Sequence, residues 1–282
     1  MSEKLKSPVK YYGGKGNGVR EIIHAHFPPN YSYDIYLEPF GGSASVLLLK
    51  EQSGIEIYND LESNAYSLFK VISDKTLFPA FKEKCDLALY SRQLWNEYKQ
   101  DLKGDITLLD RAFKYFYVNR TSFNGHGGFS VSTSIRRNMS KSTSDFLSTI
   151  DGLRQLHNRL SSVVIENTDG IELIKKWDKD RVFMYLDPPY HAITRSSARY
   201  TIDMNDAQQK ELIDTLLGFK KTKVLISGYD CVEYKRLTDN GWEMTEFKVN
   251  TQDTKQKPKT KTEFLWKNYK INELKEGLLW ET

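Results

Sequence analysis

The sequence predicts an α/β fold: a mostly parallel sheet, an antiparallel pair of strands closing one edge, and a helical segment inserted midway. Three observations carry this. Short β-branched or aromatic runs alternate with stretches of helical spacing, the pattern of a parallel sheet covered on both faces. Two runs near the C-terminus, WEMTEFKV and EFLWKNY, flank a lysine-rich connection and suit an antiparallel pair. From about Asn64 to Leu160 helical periodicity takes over, as in LLDRAFKYFYVN and SDFLSTIDGLRQLHNRL.

In chain order, strands are expected at Tyr33–Leu37, Ile55–Tyr58, Val163–Ile165, Val182–Leu186 and Val224–Ile226, with helices over Ser43–Lys50 and Ala207–Phe219. The division that follows is an α/β domain of residues 1–63 and 161–282, carrying a helical insert of residues 64–160. A polar, glycine-rich loop, TSFNGHGGFSVSTSIRRNMSKSTS, interrupts that insert. Between Arg111 and Leu160 there are eight Lys or Arg against Asp145 and Asp151, a local balance of +6 that exceeds the +4 of the whole chain. This concentration suits a surface that faces phosphates. A solvated helical face accounts for the charge alone equally well.

Composition narrows the classes. The 282 residues are 39% hydrophobic and 28% charged, enough for one large or two small globular domains. The two cysteines, Cys85 and Cys231, form no CxxC and no Cys/His cluster, so neither a disulfide framework nor a metal is expected, and a reducing cytoplasm is the expected setting. The opening MSEKLKSPVKYYGGKG has no apolar core of a signal peptide, and no run approaches the roughly 20 apolar residues of a membrane span.

The chemistry is expected where strands end. EPFGGSASV, Glu38 to Val46, follows a predicted strand, and Gly41 and Gly42 permit a tight turn with close backbone approach to a ligand, although taken alone the stretch reads more plainly as an ordinary strand-helix turn. Asp60, in IEIYNDLE, ends the next strand, where an acid either accepts from ribose hydroxyls or caps a helix. The VFMYL strand then stops at Asp187-Pro188-Pro189-Tyr190. The prolines cannot donate to a ladder, so the chain turns rigidly while their carbonyls still accept. Two acceptors beside an aromatic face suit a planar ring with an exocyclic amino group.

Together KYYGGK, EPFGGSASV, YND, an insert containing NRTSFNG, DPPY and LISGYD, in that order, resemble the Dam-type (D12 class, alpha group) DNA adenine-N6 methyltransferases. The resemblance spans roughly Lys10 to Tyr269. It implies a Rossmann-like methyltransferase fold with a seven-stranded sheet, S-adenosyl-L-methionine as cofactor, and the insert as target-recognition domain. It also implies that Tyr11 and Lys15 approach the methionine end of the cofactor, that Glu38, Phe40 and Gly41 line its cleft, and that Asp60 holds the ribose. Asp169, in IENTDG, resembles the acid near the cofactor's adenine; a cap on the following helix is an equal reading. Within VNRTSFNGHGGFS, Arg120, Phe123 and Asn124 match the family's recognition stretch, where a helix-end Arg, a core Phe and a turn Asn are the plainer alternatives. Arg136, Arg137 and Lys141 are further candidates for phosphate or guanine. HGGFS departs from the Arg-Tyr-Asn-type continuation of the GATC-specific members, so their site is not carried over. The lysines at 255, 257, 259 and 261 are either backbone contacts or a solvated hairpin tip.

The implied reaction is methyl transfer to N6 of an adenine flipped out of duplex DNA. Asp187 and the Pro188 carbonyl would hold the amino group and Tyr190 would stack on the base. Cytosine-N4 or RNA adenine methylation, and an inactive DNA-binding protein on the same fold, are the alternatives. The expected partner is double-stranded DNA, with the chain a monomer or weak dimer in a bacterial cell or phage-infected host. Phage, restriction-modification and solitary regulatory roles stay open.

Overall fold

A computed structural model of the chain describes residues 5–11, 18–189, 203–251 and 259–276. These fall into two compact units. The first comprises Met1–Gly16, Gly42–Lys50 and Glu62–Asn167, the second Asn17–Gly41, Glu51–Leu61 and Thr168–Thr282.

The elements in chain order are α1 (Val19–Ala25), β1 (Ile35–Glu38), β2 (Ile55–Asn59), α2 (Ser63–Ser73), α3 (Phe78–Asp86), α4 (Arg92–Asp101) and α5 (Leu108–Thr121). There follow β3 (Ile135–Arg136), β4 (Met139–Ser140), α6 (Lys141–Asp151), α7 (Leu153–Leu160), β5 (Val163–Glu166), α8 (Gly170–Lys175) and β6 (Val182–Leu186). The last are α9 (Asp206–Leu217), β7 (Lys223–Gly228), α10 (Val232–Asp239), β8 (Glu243–Thr251), β9 (Lys259–Lys267) and α11 (Ile271–Glu276).

Seven strands form one sheet in the order β5-β2-β1-β6-β7-β9-β8. β1 runs parallel to β2 and β6, and β6 parallel to β7. β9 is antiparallel to both β7 and β8, which makes the expected edge pair. β6 explains why such a strand reads as a continuous apolar run. Val182, Met184 and Leu186 enter one core with Ile171 and Ile174 of α8, Leu212, Ile213 and Leu216 of α9, and Leu237 of α10. Phe183 enters the opposite layer, with ring centroids 4.6 Å from Phe27 and 5.6 Å from Tyr36. A strand buried on both faces is built mostly of apolar residues.

The first unit is mainly helical. α5 is its hub, packed against α2, α3 and α4. Phe116 of α5 meets Phe81 of α3 edge-on at 5.8 Å, and Tyr117 meets Phe146 of α6 at 5.6 Å. β3 and β4 form a small hairpin whose tip residues, Arg137 and Asn138, both have positive φ (52° and 57°), the backbone of a tight two-residue turn.

One expectation fails. Ser43–Lys50 is a succession of turns rather than a helix. Gly42 and Ala44 sit at φ 48° and 53°, so the stretch begins left-handed. Only isolated bonds follow, such as Leu48 N to the Ala44 carbonyl at 2.9 Å.

Candidate active site

The sheet order places a topological switch between β1 and β6: from β1 the chain winds outward through β2 and β5, and from β6 through β7. Ligands of open α/β sheets bind at the carboxyl ends of strands at such a point. Three acids of the second unit stand at or just beyond these ends: Glu38 closes β1, Asp60 follows β2 and Asp187 follows β6.

Glu38 is 2% exposed, and its Oε1 accepts from the Tyr36 hydroxyl at 2.5 Å. Burial and then the neighbouring carboxylate hold the Tyr36 phenol well above its ordinary range, so it remains a donor. The turn after β1 is braced by Asn59, which is fully buried. Its Nδ2 donates to the Pro39 carbonyl at 2.8 Å and to the Thr168 carbonyl at 3.0 Å, and its Oδ1 accepts from Thr168 N at 2.9 Å. The Asn59 carbonyl accepts from Gly41 N at 2.8 Å. At Gly41 a Cβ would overlap the Tyr58 ring, so only glycine lets the backbone lie there. Phe40 is half-buried, and a Cβ on Gly170 would come within 2.5 Å of its ring. Asp60 is buried. Asp169 caps α8: its Oδ1 accepts from Ile171 N at 2.9 Å and Glu172 N at 3.1 Å.

At the end of β6 Asp187 is half-buried, and its Oδ1 accepts from the Ser227 hydroxyl of β7 at 2.8 Å. Pro188 is buried. The Pro189 carbonyl accepts from Gln209 Nε2 of α9 at 2.7 Å. The Pro188 carbonyl accepts no hydrogen bond among the described residues. Lys15 and Tyr190 lie outside the described residues, as do Lys255 and Lys257.

The first unit holds the other candidates. Tyr11 lies 3.3 Å from where a Cβ of Gly42 would stand. Arg120 is turned inward: Nη2 donates to Thr149 Oγ1 at 2.5 Å, and Nε is buried without a partner. Burial pushes its guanidinium down to about 10. Phe123 is 47% exposed, and Asn124, at φ 51°, forms a turn with Gly125 at φ 85°. Arg136, Arg137 and Lys141 are exposed; Arg136 pairs with Asp145 at 2.7 Å and Arg137 donates to Ser148 Oγ at 3.1 Å.

Residues 11–276 match the model of the D12 class N6 adenine-specific DNA methyltransferases. The chain belongs to this family. A comparison with curated proteins gives no match.

For a D12 methyltransferase, the motifs leave the roles of several structural residues unread, even of residues that lie within them. Asn59 and Ser227 sit at the ends of apolar runs, where a lone polar side chain is the signal, whereas Gln209 lies in the polar first turn of α9, which gives none. Asn119 is another: its Oδ1 accepts from Lys10 N at 2.7 Å and its Nδ2 donates to the Lys10 carbonyl at 2.8 Å, so it clasps the first residue of KYYGGK. Among the described residues of this D12 enzyme, no group of three or more His, Cys, Asp or Glu could hold a metal, and no helix is long and apolar enough to cross a membrane.

Proposed function

We propose that this enzyme transfers a methyl group from S-adenosylmethionine to N6 of an adenine flipped out of duplex DNA. The observation that carries the reading is the end of β6, where the Asp187 carboxylate stands at the switch point of the sheet beside the Pro188 carbonyl, which accepts no hydrogen bond among the described residues.

The residues at the strand ends fit the cofactor. The backbone at Gly41 lies where no side chain is tolerated, and Glu38 and Asp60 offer acidic groups to a cation and to ribose hydroxyls. When bound, S-adenosylmethionine supplies a methyl already activated on a sulfonium. Lys15, Tyr11, Phe40 and Asp169 are assigned to the cofactor by family resemblance.

The weak partner is the amino nitrogen, whose lone pair is conjugated into the ring. Two acceptors directed at its hydrogens favour the pyramidal form that attacks in line, which is catalysis by positioning and electrostatics. Asp187 also offsets the positive charge that develops on the nitrogen until a proton leaves. Tyr190 would stack on the base and return part of the few kcal/mol that unstacking costs. The first unit, with its surplus of eight basic over two acidic residues between 111 and 160, is assigned to DNA. Arg136, Arg137 and Lys141 would meet phosphates or guanine, and Phe123 and Asn124 would approach the target; Arg120, facing inward, would support that surface from behind.

Incubation with labelled S-adenosylmethionine and unmethylated genomic DNA, followed by digestion, tests the reading. N6-methyladenine that falls on the order of 10²–10³-fold in Asp187→Ala is expected. N4-methylcytosine would correct the base, and transfer to RNA alone the substrate. No transfer together with no cofactor binding would leave only a DNA-binding scaffold.

A further inference from the structure

The end of β6 brings several acceptors together: the Asp187 carboxylate and the carbonyls of Pro188 and Pro189. An amino group has two hydrogens, so geometry must select among the acceptors. We infer that Ser227 and Gln209 make that selection and are the positioning residues of the methyl acceptor. The inference rests on the methyl-transfer reading above.

Ser227 is fully buried on β7, whose neighbour Ile226 is in register with Leu186. Its hydroxyl reaches across to the strand end, 2.8 Å from Asp187 Oδ1 and 3.3 Å from the Leu186 carbonyl. A hydroxyl has one hydrogen to give, and the shorter, charged acceptor takes it. The buried Tyr185 hydroxyl lies 3.1 Å from Ser227 Oγ, and with the serine hydrogen committed the tyrosine is the donor in that pair. The result is a directed chain from Tyr185 through Ser227 to Asp187. It fixes the carboxylate plane from behind by one oxygen.

Gln209 acts on the other end of the tetrapeptide. It is 1% exposed, and its Nε2 holds the Pro189 carbonyl at 2.7 Å. α9 is set for this by its first turn, where Asn205 and Gln208 satisfy one another's backbone N–H groups. The other half of the amide, Oε1, is buried with no partner. A half-satisfied buried amide is a liability that an apolar side chain would avoid. What the glutamine does in return is occupy the Pro189 carbonyl, so that it competes less as an acceptor, and hold the peptide that carries the Pro188 carbonyl.

The test compares wild type, Asp187→Ala, Ser227→Ala, Ser227→Thr and Gln209→Met. It measures methyl transfer to unmethylated genomic DNA, titrated affinity for S-adenosylmethionine and for DNA, and thermal unfolding. Ser227→Ala should lower kcat roughly 10- to 100-fold, the scale of a small misplacement, with KM and both affinities within about twofold. Ser227→Thr should restore most of it. Gln209→Met should lower kcat several-fold while Tm holds or rises, a split that a purely structural role does not produce. Unchanged kcat in Ser227→Ala and Gln209→Met, or losses that only follow KM and Tm, would overturn the inference. Should Ser227→Ala not fold, Tyr185→Phe carries the same comparison, with a smaller loss in kcat expected and no loss counting against the chain. A wild-type protein that binds the cofactor yet methylates no DNA would instead sink the function reading, and this inference with it.

Discussion

Lys10 stands where the backbone is clasped on both sides by Asn119, with its amine 3.4 Å from the carbonyls of Arg120 and Ser122. Burial, and then the nearby Arg120 cation, push its amine down to about 8, with Asp145 pulling the other way. Because the folded value lies below the unfolded one, the unfolded chain holds the extra proton between about pH 8 and 10.5. The penalty is fully present below that window and is relieved as pH rises through it. Urea unfolding should therefore show wild type gaining stability relative to Lys10→Met across pH 8 to 10.5; parallel curves would contradict this. Asp169 permits a similar separation of roles. Its Oδ1 caps α8, so Asp169→Ala should cost about 1 kcal/mol, while Asp169→Asn should keep the cap. If the Asn variant is stable but binds S-adenosylmethionine weakly, the carboxylate does more than cap.

At the level of elements, the parallel strands of the large sheet were legible as short apolar runs bounded by turn residues, and VFMYL marked β6 to the residue, whereas the polar hairpin of β3 and β4 read as loop. The helices of the first unit were legible from their 3.6-residue spacing. Ser43–Lys50 misled because its spacing is helical while its backbone is set by the left-handed entry at Gly42 and Ala44, which spacing does not encode. Asn59 was invisible for a different reason. The worth of its amide depends on Pro39 and Thr168, the latter more than a hundred residues away. Asn59→Ala should cost about 2–3 kcal/mol by denaturant unfolding, since several buried groups lose their partner together. Gly41→Ala should cost about 1–3 kcal/mol through its overlap with Tyr58, and a smaller side chain at position 58 should recover part of it. Additive losses in that pair would show that the two positions do not meet.

For the whole molecule, the order of motifs along the chain was the most legible feature, because it reflects the winding of the sheet. The candidate acid at the end of β6 was legible from where an apolar strand is cut off by two prolines. The partners of that tetrapeptide were not, since Ser227 reaches Asp187 and Gln209 reaches the Pro189 carbonyl only through folding. Charge distribution makes a prediction at this scale. If Arg136, Arg137 and Lys141 reach phosphates, each replacement by Ala should reduce the slope of log K against log salt by about 0.9 on duplex DNA. A loss of affinity without a change in slope would point to base reading or indirect effects.

The sheet order also imposes a timetable. β1 finds its partner β6 only after about 140 further residues, a wait of roughly 7–30 s at synthesis rates of about 5–20 residues per second. The first unit is complete in sequence at Asn167, before any of β6 has been made. During that interval Tyr36 and Leu37, fully buried in the finished protein, have no β6 to lie against. On the ribosome the helical unit is free to fold first. The half-sheet of β1 and β2 waits with an open edge until β6 is made, and an unpaired apolar edge is a site for misassembly.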